Sequence, residues 1–216
     1  MTRRETSVRL PIEYFYLAGD LRIPDDAKGI VLFTHGSGSS RASPRNRFVA
    51  NVLNEARFAT LLMDLLTEKE EVEDTIVANL RFDIPLLAER VAAASAWLRK
   101  NDDTRGLPIG YFGASTGAAA ALAAAGLKPE LVKAVVSRGG RPDLAGTLLG
   151  KVRAPTLLIV GGNDPVVLQL NQDALTKMQA GRKIVIVPEA THLFEEQGAL
   201  EQVANLARDW FELYLK

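Results

Sequence analysis

Ser115, Asp164 and His192 are the residues whose types and spacing could do chemistry together in this chain. A neutral serine hydroxyl is a poor nucleophile and needs a base that takes its proton as it attacks. Imidazole titrates near neutrality and can later return that proton to a leaving group. A carboxylate fixes the imidazole tautomer and stabilises the imidazolium that forms. Ser115 lies in Gly113-Ala114-Ser115-Thr116-Gly117, a G-x-S-x-G. Each residue also has a plainer reading. Ser115 could cap a helix, Asn163-Asp164-Pro165 could be an ordinary turn, and a histidine taken singly is more often structural. His35 and His192 are the two histidines of the chain, and the position of His192 after the serine and the aspartate makes it the base. Asp164 is the expected acid and Asp143 its rival, one strand earlier. Glu189 stands too close to His192 in sequence to serve.

Attack on a carbonyl creates an oxyanion, which needs preorganised donors. The backbone N–H of Thr116, at a helix N-terminus, is one. The second is expected from His35-Gly36-Ser37-Gly38, as the N–H of Ser37, with glycines letting the backbone approach a ligand. His35 is expected to hydrogen-bond loop backbone and shape this turn. A phosphate cradle is the competing reading of GSGSS, but no Gly-Lys-Ser/Thr follows. Gly36, Arg41 and Arg138 are the candidate substrate-binding residues. Arg41, Arg45 and Arg138 could each meet a substrate carboxylate, although surface or structural roles suit them as well.

The elements that must position these groups alternate. Ser7–Leu21 reads as one or two edge strands with a turn at Gly19-Asp20. Gly29–His35, Ala59–Leu66, Ile109–Phe112, Leu131–Ser137, Pro155–Val160 and Lys183–Val187 read as strands, mostly continuous apolar runs of the kind buried on both faces. Ser43 and Pro44 open a helix, Asp83–Lys100 is a long one, and STGAAAALAAA has near-maximal helix propensity, ended by Gly126 as a C-terminal cap. A helix near Val167–Met178 and an amphipathic helix over Gly198–Leu215 follow. Thr67–Asp74 (TEKEEVED) reads as a solvated charged loop, and the segment through Leu80 could fold over the site as a lid. This alternation predicts an α/β fold: a single domain over 1–216, with a mainly parallel sheet and helices on both faces. Ser115, Asp164 and His192 each follow a strand, where open parallel sheets bind ligands.

Composition sets the bounds. At 216 residues one domain is the natural size, and a hydrophobic fraction of 47% is ample for its core. Lys+Arg 26 balance Asp+Glu 26, so no global field points to nucleic acid or to an anionic membrane. The absence of cysteine excludes disulfides, thiolate metal sites and a cysteine nucleophile. The first residues lack an apolar core of signal-peptide length, and no later apolar run would span a membrane, so a cytoplasmic protein is expected.

With THGSG, GASTG, GGNDPV and ATH in place, essentially the whole chain resembles a small, capless α/β-hydrolase of the dienelactone hydrolase-like type. The resemblance implies a serine esterase or lactonase that acts on small esters through an acyl-enzyme, with no metal and no cofactor. It departs from dienelactone hydrolases proper, which carry a cysteine nucleophile where this chain has Ser115, and that favours ordinary ester hydrolysis. The expected partner is a small-molecule ester or lactone, without nucleic acid or membrane; a homodimer is compatible. The rival readings are a non-catalytic binding protein of the same fold, and an acyltransferase or peptidase using the same three residues. With no insertion long enough for a helical cap, the acyl pocket should be small.

Overall fold

The structure, a computed structural model, describes residues 5–216. Eight strands form one sheet: β1 (Thr6–Ile12), β2 (Phe15–Arg22), β3 (Gly29–Thr34), β4 (Phe58–Met63), β5 (Ile109–Ala114), β6 (Ala134–Arg138), β7 (Thr156–Gly161) and β8 (Arg182–Val187). Their order is β1-β2-β4-β3-β5-β6-β7-β8. The pairings β1/β2 and β2/β4 are antiparallel and all others parallel. The helices are α1 (Pro44–Glu55), α2 (Glu68–Val77), α3 (Ile84–Leu98), α4 (Thr116–Leu127), α5 (Pro165–Lys177) and α6 (Ala199–Tyr214). The expected single-domain α/β fold is the one observed.

Strands β3 to β7 are buried along their whole lengths, which is what their unbroken apolar runs require. The sheet divides the core into two layers. Leu32, Tyr111, Val135 and Leu158 pack with α3 and α4 on one face. Phe33, Phe112, Val136 and Ile159 pack with α1 and α6 on the other. Tyr111 is the largest fully buried side chain among the described residues, and its hydroxyl meets Ser95 Oγ of α3 at 2.7 Å. Burial pushes the Tyr111 phenol up to about 12, so it stays neutral.

Four local expectations are corrected. The β1/β2 turn falls at Glu13-Tyr14, with Glu13 at φ 44°, not at Gly19-Asp20. Gly19 instead lies inside β2, where a Cβ would approach Leu61 Cδ1 to 3.0 Å. The TEKEEVED segment is not a loop but the start of α2. Thr67 and Glu70 form a reciprocal capping box there, and three acidic residues favour its N-terminal dipole end. Strand β6 covers Ala134–Arg138 instead of Leu131–Ser137, because Leu131 N–H closes a turn onto Lys128 O at 3.0 Å.

The fourth correction concerns Gly126, which does not cap α4. The helix runs on to Leu127 with Lys128 at its C-cap. Gly126 sits where the 3-10 turns of Pro142–Lys151 cross the helix, and a Cβ there would lie 2.2 Å from Leu148 O. The glycine is therefore required by close approach, not by a left-handed backbone. Gly126→Ala should destabilise the fold by about 1–3 kcal/mol, the usual range for overpacking a tight contact. Urea unfolding checks this, and a midpoint equal to wild type would mean the crossing can relax freely.

Candidate active site

The turn from β5 into α4 sets the geometry. Ser115 stands at its apex with φ 52° and ψ −123°, a backbone region costing on the order of 1–3 kcal/mol for a residue with a Cβ. Both flanking glycines are forced by packing. A Cβ on Gly113 would sit 2.4 Å from Ala118 Cα, and one on Gly117 would sit 2.2 Å from His35 O. Thr34 Oγ1 donates to Gly117 O at 2.8 Å and ties the start of α4 to the end of β3. Ser115 N–H donates to Arg138 O at 3.1 Å, so β6 holds the turn from the other side. The Ser115 side chain makes no capping bond to its own helix, which sets aside the plainer reading of this residue.

Three strand ends then bring the expected residues together. His192 Nε2 lies 3.2 Å from Ser115 Oγ, and His192 Nδ1 lies 2.7 Å from Asp164 Oδ2. The other Asp164 oxygen, Oδ1, accepts from Val167 N–H at 3.4 Å and caps α5, which fixes the carboxylate in orientation. Asp143 is placed elsewhere. It is held bidentately by Arg141, at 2.9 and 2.7 Å, and that guanidinium keeps its carboxyl below the usual range. Glu189 is not hydrogen-bonded to His192 among the described residues; its carbonyl accepts from the Asn163 amide at 2.9 Å.

His35 behaves as the sequence led us to expect. Its Nδ1 donates to Gly36 O at 2.9 Å while Leu65 N–H donates to its Nε2 at 3.1 Å. That pair of bonds selects the neutral Nδ1–H tautomer. Burial lowers its pKa, and this outweighs the opposing pull of the Gly36 carbonyl and of Asp64. The loop so anchored packs against Ser115: a Cβ on Gly36 would approach Ser115 Cβ to 3.1 Å.

The remaining expectations fare differently. The Ser37 N–H is not free; it donates to Thr116 Oγ1 at 2.8 Å. Thr116 N–H, at the first position of α4, has no intrahelical acceptor. Arg41 is engaged in ion pairs. Its guanidinium is ion-paired with Asp64 and Asp20, and its N–H donates to Asp64 Oδ1 at 2.8 Å, so it pins the loop after β3 to the end of β4. Arg45 is paired with Glu195 at 2.8 Å. Arg138 is 7% exposed, and its Nε and Nη1 have no hydrogen-bond partner. Burial, with Arg45 nearby, lowers its pKa to about 10, which leaves it charged at neutral pH. Its guanidinium lies 6.0 Å from the ring centroid of Phe194, two residues beyond His192.

A cavity of about 470 Å³ borders this loop, lined by Gly36, Ser37, Thr116, Leu65, Leu66 and Leu87 among others. Glu71, Asp74 and Thr75 of α2 form part of its wall, so the segment considered as a lid stands beside the site as a helix. Two supporting groups were not read from the sequence. Glu196 Oε1 accepts from both the N–H and the hydroxyl of Thr191, bracing the residue before His192. Asp64 braces the loop after β3. A carboxylate five residues beyond Thr191 was a readable signal for the first; nothing local marks the second.

The His35 geometry carries a pH dependence. Its folded pKa is depressed, so the unfolded chain binds the extra proton first as pH falls. The stability His35 contributes is complete above about pH 6.5, its unperturbed value, and is lost progressively as pH drops below that. Urea unfolding between pH 7.5 and 5 should show this loss, and His35→Gln should lack the His35 part of the slope. Imidazole NMR should report an Nδ1–H tautomer titrating below the ordinary range. A His35 that titrates at or above it would overturn the assignment.

The geometry can be set beside known proteins. A profile of the Dienelactone hydrolase family matches residues 17–215. A solved dienelactone hydrolase from Anabaena variabilis is 58% identical, covers 99% of both chains and superposes with a TM-score of 0.97. The structure of Est1E from Butyrivibrio proteoclasticus shares the fold at a TM-score of 0.79, with 16% identity over 96% of this chain and 97% of its own. Two curated Mycobacterium tuberculosis proteins with a provisional phosphoribosyl transferase name are 60% identical over 90% of this chain. This chain spans only 43% of their length, so that name describes proteins more than twice as long as the matched part. With its α/β fold and the match over nearly all of its length, the chain belongs to the dienelactone hydrolase family.

Proposed function

We propose that this member of a hydrolase family cleaves small carboxylic esters or lactones through an acyl-enzyme on Ser115. The observation that carries the reading is the unbroken hydrogen-bond line from Ser115 Oγ through His192 to Asp164. His192 Nε2 takes the serine proton as Oγ attacks the carbonyl carbon, and Nδ1–H remains donated to Asp164. The oxyanion forms beside the α4 N-terminus, where the Thr116 N–H and the helix dipole favour negative charge. Collapse expels the alcohol, which carries off the proton from His192. Water then repeats the sequence and frees the acid.

Ser115→Ala and His192→Ala should each lower kcat by several orders of magnitude, and the double variant should be little worse than either single, because the residues act as a unit. Asp164→Asn should cost about 10⁴ in kcat, whereas Asp143→Asn, whose partner is Arg141, should cost little. A fluorophosphonate should leave one adduct, on Ser115. Ordinary esterase activity in purified Ser115→Ala would refute the mechanism.

Substrate size follows from the cavity walls. Leu65, Leu66 and Leu87 offer apolar surface, but Glu71, Asp74 and the serines of the loop interrupt it. Each buried methylene contributes at most about 0.8 kcal/mol, so only a few can add to binding. In a p-nitrophenyl ester series, kcat/KM should rise from acetyl to roughly butyryl and then fall. Arg138, buried and without a carboxylate, suits a substrate anion. A hemisuccinate ester should therefore gain over the neutral butyrate in wild type and lose that gain in Arg138→Met. A maximum at long chains, or no effect of Arg138→Met, would overturn the respective part.

A further inference from the structure

The contact between Ser37 and Thr116 changes how the oxyanion would be held. The Ser37 N–H, the expected second donor, is spent on Thr116 Oγ1 at 2.8 Å. A threonine hydroxyl has one proton to give and two lone pairs to receive. The Ser37 N–H occupies one lone pair, and this leaves the Thr116 O–H proton to be donated. Thr116 is almost fully buried and lines the cavity beside Gly36 and Ser37. Gly36 in turn packs against Ser115, with a virtual Cβ 3.1 Å from Ser115 Cβ and 3.8 Å from its Oγ. The hydroxyl is therefore bonded to the loop that should stabilise the oxyanion and belongs to the residue next to the serine that would generate it.

We propose that the Thr116 side-chain hydroxyl is itself an oxyanion donor, with the Ser37 N–H acting through it as a positioning group. The inference rests on the acyl-enzyme reading given above. As Ser115 Oγ bonds to the carbonyl carbon, the C=O π pair moves onto the carbonyl oxygen and the serine proton passes to His192 Nε2. The Thr116 hydroxyl keeps its proton and donates a hydrogen bond to the new O⁻, beside the backbone N–H of the same residue. An O–H donor to an ionised oxygen makes a short, strong bond. Polarisation by the Ser37 N–H makes the hydroxyl a better donor still. One residue thus supplies two donors, and the loop after β3 supplies their alignment.

Thr116→Val keeps the shape and removes the hydroxyl. Its kcat should fall about 10²–10³-fold, the cost of one oxyanion donor, with KM changed much less. Affinity for an alkylboronic acid, which presents a tetrahedral oxyanion on Ser115, should fall with kcat; a merely structural latch would not produce that parallel. Thr116→Ser, which retains the hydroxyl, should recover most of the loss. Thermal unfolding verifies each fold, and Thr116→Ala carries the test if the valine variant does not fold. A Thr116→Val enzyme with near-wild-type kcat would overturn the proposal and assign the freed Ser37 N–H as the direct donor. Failure of the underlying reading looks different: wild type itself would neither turn over an activated ester nor label with a fluorophosphonate at Ser115.

Discussion

The left-handed backbone at Ser115 is the constraint on which the rest of the site depends. It is unfavourable locally and persists because the two strands flanking β5, β3 and β6, hold it. Ser115 N–H bonds to β6 through Arg138 O, and Ser115 O accepts from Ala118 N–H and Arg141 N–H at 3.1 and 3.2 Å. Thr34 holds Gly117 from β3. Because Gly113 and Gly117 have no Cβ, α4 can press against β5 and the end of β3 at distances no other residue allows. The strain is thus offset by packing in the centre of a parallel sheet, where every participating strand is fully buried and unable to yield.

A second network sets the loop that faces this turn. His35 bridges Gly36 and Leu65, and Arg41 bridges the same loop to Asp64 and Asp20. Arg47 adds a second cation to Asp20 at 2.6 Å. The loop is glycine- and serine-rich and would be mobile in isolation, yet its backbone is held at both ends by buried polar groups. In the same arrangement the Arg41 charge is already paired with Asp64 and Asp20. Arg138 is the opposite case, a buried guanidinium with no carboxylate paired to it among the described residues.

Helix α2 also belongs to the site, although its charges suggest mere solvation. Arg90, buried on α3, donates to Glu70 and to Leu65 O, so a single guanidinium connects the capping box of α2 to the segment that follows β4. Asp74 accepts from Arg81 and from the backbone of the following turn. The acidic run is therefore partly internal, with Glu71 and Asp74 facing the cavity.

The sequence by itself determined the alternation of strands and helices, the elbow at Ser115, and the order of Ser115, Asp164 and His192, because these are written in local chemistry. Continuous apolar runs require burial on both faces, small residues around a serine permit a sharp strand-to-helix turn, and polar residues just past a strand end project where ligands bind. Only the tertiary structure decided what depends on partners distant in sequence. It put Asp164, and not Asp143, in hydrogen-bond contact with an imidazole 28 residues later. It assigned Arg41 to Asp64, and it made Gly126 a packing contact with Leu148 in place of a cap. It also turned the Ser37 N–H onto Thr116, across 79 residues of chain. A hydrogen bond is decided by distances of a few tenths of an ångström, and no spacing along a chain encodes those until the sheet has brought its strands together.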